Sequence, residues 1–276
     1  MFGAAAGMSV ARRLGAGLEF DLSGFDAGGG SKWVRQYELE PFGLPATVRS
    51  YAPRGLLSRR LLGPRGRDVP AAWTGRAWRE GSFHYDDSVE KVKGSAYLIG
   101  YFQSPRYFES MAGDVRRAFD LRPLLSEEGA RLAEIALGEE TIAVHVRRGD
   151  YVANPKAAAH HGIMTADYYR RGIAILARTV ARPRLIVISD DPAAAREVLS
   201  DYPDAHFVRG TTHFDDMHLV SACRHRIIAN SSFSWWGAWL DVREDGITIA
   251  PRAWFAREQL LKTYVGDLLP AGWLLI

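Results

Sequence analysis

TIAVHVRRGD, residues Thr141 to Asp150, decides the fold: six mostly β-branched residues run straight into two arginines, a glycine and an aspartate. A short apolar run without alternation is the pattern of a strand buried on both faces of a parallel sheet. RLIVIS from Arg184, AHFV from Ala205, RIIAN from Arg226 and ITIAP from Ile247 repeat it. Between them lie helix-length segments: TADYYRRGIAILARTV, PAAAREVLSDY, FDDMHLVSACRH and SSFSWWGAWLD. Thr165 is placed to cap the first, and Pro192 suits the opening position of the second. Strand and helix alternating in this way predict βαβ units, so the second half reads as a Rossmann-like α/β domain.

The polar clusters follow from that assignment. HVRRGD leaves the strand from Thr141, SDD ends the strand from Arg184 and ANSS ends the strand from Arg226. All three lie at carboxyl ends, the edge at which open parallel sheets bind ligands. Arg147 and Arg148 are adjacent at a strand exit and should point apart, one to the crevice and one to an internal partner. A guanidinium fork there matches phosphate oxygens. Asn230, Ser231 and Ser232 open a helix and offer hydroxyls and N–H groups at the positive end of its dipole. Asp190 and Asp191 offer carboxylates to ribose hydroxyls or a purine amine. Together these groups sketch a nucleoside diphosphate site.

Each feature also has a plainer reading. The arginines can pair with Asp150, one serine can serve only as a helix cap, and one aspartate can cap the helix at Pro192. Trp235 and Trp239, four apart on one helix face, read as core packing. Cys223, in a helical segment, reads as a buried apolar residue and not a nucleophile.

The first half is less regular. MFGAAAGMSVARRLGAG has helical spacing, LEFDLSGF reads as a strand and turn, and GSFHY and SAYLIGYFQ as further strands. GFDAGGGSK and PRGLLSRRLLGPRGRDVP are loop-like, while SPRYFESMAGDVRRAFDL and LSEEGARLAEIAL, the latter capped by Ser126, read as helices. The expected boundary is near Leu137, giving domains 1–137 and 138–276.

At 276 residues and 47% hydrophobic, the chain is long enough for two modest cores. Its 35 basic and 32 acidic residues are scattered, and the net charge of +3 suits an anionic ligand. No nucleic-acid-binding pattern is present, and nucleic acid is not an expected partner. A single cysteine excludes an internal disulfide and fits a reducing compartment. No apolar run approaches the roughly 20 residues that span a bilayer, and the basic residues of the opening segment follow its apolar stretch, the reverse of a secretory signal. The expected location is cytoplasmic, with peripheral contact at the inner face of the membrane left open. There is no D-x-D pair and no ligand spacing among the histidines, so no metal site is expected.

His145-Val-Arg147-Arg148-Gly-Asp150, written H-x-R-R-x-D, is joined by YELEPFGL from Tyr37, GYFQSPRYF from Gly100, VISDD from Val187 and DDMHLVSACRHRIIANSSFSWWGAWL from Asp215. In order and over nearly the whole chain, these resemble glycosyltransferase family 11, the bacterial-type α-1,2-fucosyltransferases. H-x-R-R-x-D is shared by several fucosyltransferase families; NSSFSWWGAWL is far more specific. The resemblance implies a GT-B-like α/β fold with two Rossmann-like domains facing across a cleft, the second holding GDP. It implies inverting, metal-independent transfer of L-fucose from GDP-fucose to a galactoside hydroxyl, without a cofactor, in polysaccharide biosynthesis. The acceptor would be a galactose-containing oligosaccharide or a lipid-linked glycan.

By matching position, Arg147 would take the β-phosphate of the departing GDP, with His145 and Asp150 as further catalytic residues of its loop. Arg148, Asp190, Asn230, Ser231, Ser232 and Phe233 would contact substrate, and Trp235 and Trp236 would brace the wall. The general base is left open between Asp150 and the pair His160 and His161, which reads equally well as two exposed loop residues. One departure stands out. Family members open with a strand and a G-G-L-G-N-Q loop, whereas this sequence starts at what resembles the next helix. The first strand and glycine-rich loop are therefore expected to be missing from the N-terminal domain, with Met1 an internal methionine or a truncated start. The alternative function is a degenerate, non-catalytic GDP-sugar-binding homologue. A generic nucleotide-binding module would explain the crevice but not GYFQSPRYF.

Overall fold

Helix α1 (Phe2–Leu14) opens the chain and ends at Gly15, whose φ of 60° lies in the left-handed region that favours glycine. Gly7 lets it approach the next strand, since a Cβ there would stand 2.9 Å from Leu18 Cδ1. In this computed structural model, residues 1–26, 36–51, 69–70, 73, 75–149, 159–260 and 263–276 are described. They form two compact units, Met1–Phe119 with Gly266–Leu268, and Asp120–Val265 with Leu269–Ile276.

The described strands of the first unit are short and paired two by two. Among the described residues, β1 (Leu18–Asp21) pairs in parallel with β2 (Ala46–Arg49), and β3 (Arg76–Arg79) pairs in parallel with β4 (Ala96–Ile99), as two separate ribbons. None of the four strands is buried throughout. A continuous parallel sheet needs both faces covered, which these half-exposed strands do not provide. GSFHY, expected as a strand, instead follows the last rung of β3, where Glu80 N–H donates to the Ile99 carbonyl at 2.8 Å. Phe83 there stacks on Tyr101, with ring centroids 6.1 Å apart. The helix expected from Ser104 is shorter: two 3₁₀ turns precede α2 (Ala112–Ala118).

The second unit follows the expected alternation. Helix α3 (Glu127–Gly138) leads to β5 (Thr141–Val146), α4 (Ala166–Leu176), β6 (Arg184–Ser189), α5 (Pro192–Val198), β7 (His206–Phe207), α6 (His213–Ala222), β8 (His225–Ile227), α7 (Ser232–Leu240), β9 (Thr248–Ala250) and β10 (Leu274–Leu275). The six strands are all parallel, in the order β10-β9-β8-β5-β6-β7. All six residues of β5 are buried, as an interior strand covered by helices on both faces should be. Ile142, Val144 and Val146 pack with Tyr169, Ile173 and Leu176 of α4 and with Val187. Full burial of each such aliphatic chain is worth about 1.5–3 kcal/mol.

Helix α3 lies in the second unit, where one carboxylate joins it to α6. Asp215 accepts from its own N-cap, Thr212 N at 2.7 Å, and from Ser126 N at 2.9 Å and Ser126 Oγ at 2.8 Å. Ser126 caps α3, and a Cβ on Gly129 would stand 1.9 Å from Asp215 Oδ1, so this contact requires glycine. Among the described residues no helix is long and apolar enough to cross a membrane.

Candidate active site

The register of β5 against β6 sets the site, because Val146 pairs with Ser189, so the residues leaving one strand face those leaving the other. Arg147 Nη1 lies 3.1 Å from Asp190 Oδ2, and the Arg148 N–H donates to Asp190 Oδ1 at 2.9 Å. The Arg148 side chain turns the other way and donates to the Met164 carbonyl at 3.1 Å. The two arginines thus diverge as expected, with Met164 and Asp190 as partners. Asp150 lies outside the described residues.

Asp190 and Asp191 divide two roles between them. Asp191 caps α5, accepting from Ala193 N at 3.2 Å and Ala194 N at 3.0 Å. Asp190, expected to hold a ribose or purine, accepts the Arg148 N–H on one oxygen and forms an ion pair with the Arg147 guanidinium on the other, an arrangement suited to orienting Arg147. Gly149 makes room for it, since a Cβ there would stand 2.3 Å from Asp190 Oδ2. Arg147 keeps 28% of its side chain exposed, so its charge is oriented without being sealed off.

His145 belongs to the buried wall. It is 3% exposed, its ring centroid lies 5.5 Å from that of Phe233, and Nδ1 has no hydrogen-bond partner among the described residues. Burial, reinforced by the charge of Arg147, pushes its pKa down to about 3, so the imidazole is neutral at pH 7.

At the exit of β8, Ser231 caps α7 by accepting from Phe233 N at 3.3 Å, and Ser232, the first helical residue, is exposed. Phe233 is half-buried against His145. Asn230, expected at the ligand, is buried, and its side-chain N–H₂ donates to the carbonyls of His161 at 2.7 Å and Trp254 at 3.1 Å. It therefore ties the end of the arginine loop to the segment after β9. His160 and His161 are half-buried, not two exposed loop residues: their rings lie 5.0 and 5.6 Å from Phe255.

Tryptophans hold the body of α7. Trp235 stacks on Trp239 at 6.0 Å and 10°, Trp236 meets both edge-on, and Trp273 adds a fourth indole 5.7 Å from Trp235. Gly237 faces α6 so closely that a Cβ would stand 2.7 Å from Val220 Cβ. The serines start the helix and the indoles fix it, so its amino end is held rigidly beside His145. Sequence reasoning missed the pair Tyr168 and Tyr169, whose hydroxyls donate to the carbonyls of Ile228 at 2.7 Å and His145 at 3.1 Å. Two consecutive tyrosines in an amphipathic helix were the available signal.

The model of glycosyl transferase family 11 matches residues 76–274, a stretch that includes every site residue described above. The chain belongs to glycosyl transferase family 11. Within the family, it is 40% identical over 174 residues to an alpha-1,2-colitosyltransferase of Escherichia coli, covering 61% of this chain and 59% of that protein. It is 35% identical over 173 residues to the O-antigen biosynthesis glycosyltransferase WbnK of Escherichia coli, covering 60% and 57%. It is 25% identical over 213 residues to the human galactoside alpha-(1,2)-fucosyltransferase 1, covering 72% and 57%. The matched stretches thus span less than two thirds of these relatives' own lengths. Among solved structures, fucosyltransferase NodZ from Bradyrhizobium is 17% identical with a TM-score of 0.45, covering 87% of this chain and 88% of that one.

An oriented guanidinium and the start of a helix are both suited to an anion. In this family member the two are joined through the contact of His145 with Phe233.

Proposed function

We propose that this chain transfers L-fucose from GDP-fucose, with inversion, to a galactoside hydroxyl in α-1,2 linkage. The observation that carries the reading is Arg147, oriented by Asp190 at the exit of β5 inside the family match. In the displacement, the acceptor oxygen bonds to the anomeric carbon as the bond from that carbon to the phosphate oxygen breaks, and GDP leaves with the electron pair. Negative charge grows on the β-phosphate, and a fixed guanidinium stabilises it without reorganisation. The start of α7, exposed at Ser232, supports a second contact with the diphosphate. The acceptor proton passes to a base or to solvent. The fold that goes with this reading is GT-B-like, with the second unit carrying the donor, and a relative named for O-antigen biosynthesis supports a role in polysaccharide assembly.

One observation favours a second donor, since the relative at 40% identity is named for colitosyl transfer. The test is transfer of label to lactose and N-acetyllactosamine from GDP-fucose and, in parallel, from GDP-colitose, with EDTA present. Turnover by the native chain and its loss by at least a hundredfold in Arg147→Ala are expected. Turnover from the colitosyl donor alone would replace fucose by its 3-deoxy relative. GDP binding without turnover from either donor, across a panel of acceptor glycans, would favour the non-catalytic homologue.

A further inference from the structure

Helix α4 is attached to the ends of two neighbouring strands by consecutive tyrosines. Tyr168 donates to the carbonyl of Ile228, just past β8, and Tyr169 donates to the carbonyl of His145, near the end of β5. Tyr169 is fully buried. The ladder from β5 to β8 ends at the pair Val144 and Ile227. One residue beyond it, the His145 carbonyl takes the phenol of Tyr169 as its donor, in the place where a further rung would have supplied an N–H.

We propose that Tyr169 is a positioning residue for Arg147, fixing the main chain by which it leaves β5 and so the place of its guanidinium. The segment is then held from two directions, by Tyr169 at the His145 carbonyl, and by Asp190 at the Arg148 N–H and the Arg147 guanidinium. Phenylalanine at position 169 keeps the buried ring and removes the main-chain contact, leaving a buried carbonyl to find a new partner. Displacing a reacting group by about 1 Å is enough to cost on the order of a hundredfold in rate. The kinetic arm of the test rests on the transferase reading; the exchange arm does not.

The experiment compares the full chain with Tyr169→Phe and with Tyr168→Phe, a control that loses a likewise buried phenol bonded to a carbonyl away from Arg147. Amide hydrogen exchange read at Arg148, whose N–H donates to Asp190, should rise at least tenfold in Tyr169→Phe and stay unchanged in Tyr168→Phe. With GDP-fucose and lactose, Tyr169→Phe should lower kcat about tenfold with KM for GDP-fucose within twofold, while Tyr168→Phe keeps kcat. Unchanged exchange at Arg148 in Tyr169→Phe, or equal losses of kcat in the two variants, would overturn the proposal. If the native chain turns over no donor, the transferase reading fails and the exchange result alone decides the role of Tyr169.

Discussion

Gly149 shows how little freedom the site leaves to single residues. Its missing side chain is the space that Asp190 occupies, and Asp190 is held there by a hydrogen bond from the Arg148 N–H and an ion pair with Arg147. Gly149→Ala should therefore move the carboxylate and release Arg147, lowering turnover at least tenfold while the melting temperature changes by only a few degrees; steady-state kinetics beside a thermal scan check this. His145 makes a prediction with a sign. Its folded-state pKa of about 3 lies below the value of roughly 6.5 expected when unfolded. Above pH 6.5 both states are neutral, but as the pH falls toward 3 the unfolded chain takes up a proton that the folded chain does not. Stability should fall through that window by up to about 1.4 kcal/mol per pH unit from this residue, and urea unfolding at pH 7 and pH 5 should show a shallower decline in His145→Asn. The divergence of Arg147 and Arg148 was legible in the sequence, because adjacent residues at a strand exit must point apart. The duty of Asp190 was not, because it depends on the register of Val146 against Ser189, which no local pattern carries.

Helices and strands were legible in proportion to how much they bury. The interior strand β5 and the capped helices α3, α4, α5 and α7 match their apolar runs and the caps Ser126, Thr165, Asp191 and Ser231. By contrast, β2, β3 and β10 have two to four residues each, and β2 and β3 carry arginine, so nothing distinguishes them from loop until their partners are in place. Two contacts between elements are open to test. Asp215→Ala strips the shared acceptor from Ser126 and Thr212 at the junction of α3 and α6, and should cost about 2–5 kcal/mol in denaturant unfolding. Gly237→Ala forces a methyl group against Val220 and the Met217 carbonyl, and should cost about 1–3 kcal/mol by overpacking. Its effect on turnover should be small, provided that α7 keeps its start.

Across the whole molecule, the second unit carries the continuous sheet and the first carries two short ribbons among its described residues. The expectation of two similar Rossmann-like halves came from the family resemblance; the half-exposed strands of the first unit contain no interior run like TIAVHV that could have argued for it independently. Cooperative opening should follow the same division: in native-state hydrogen exchange, amides of β5, β6 and β8 should be the slowest and those of β1 to β4 exchange orders of magnitude faster. The indole cluster of α7 has a consequence of another kind. Trp235 and Trp239 lie nearly parallel at 6.0 Å, with Trp236 and Trp273 within reach of both excitation transfer and electronic coupling. Four of the eight tryptophans thus form one chromophore at the root of the helix whose first turn faces the site. Its coupled ultraviolet circular dichroism and short-wavelength emission give the protein a built-in optical readout of that helix, usable during titration with GDP without any attached dye.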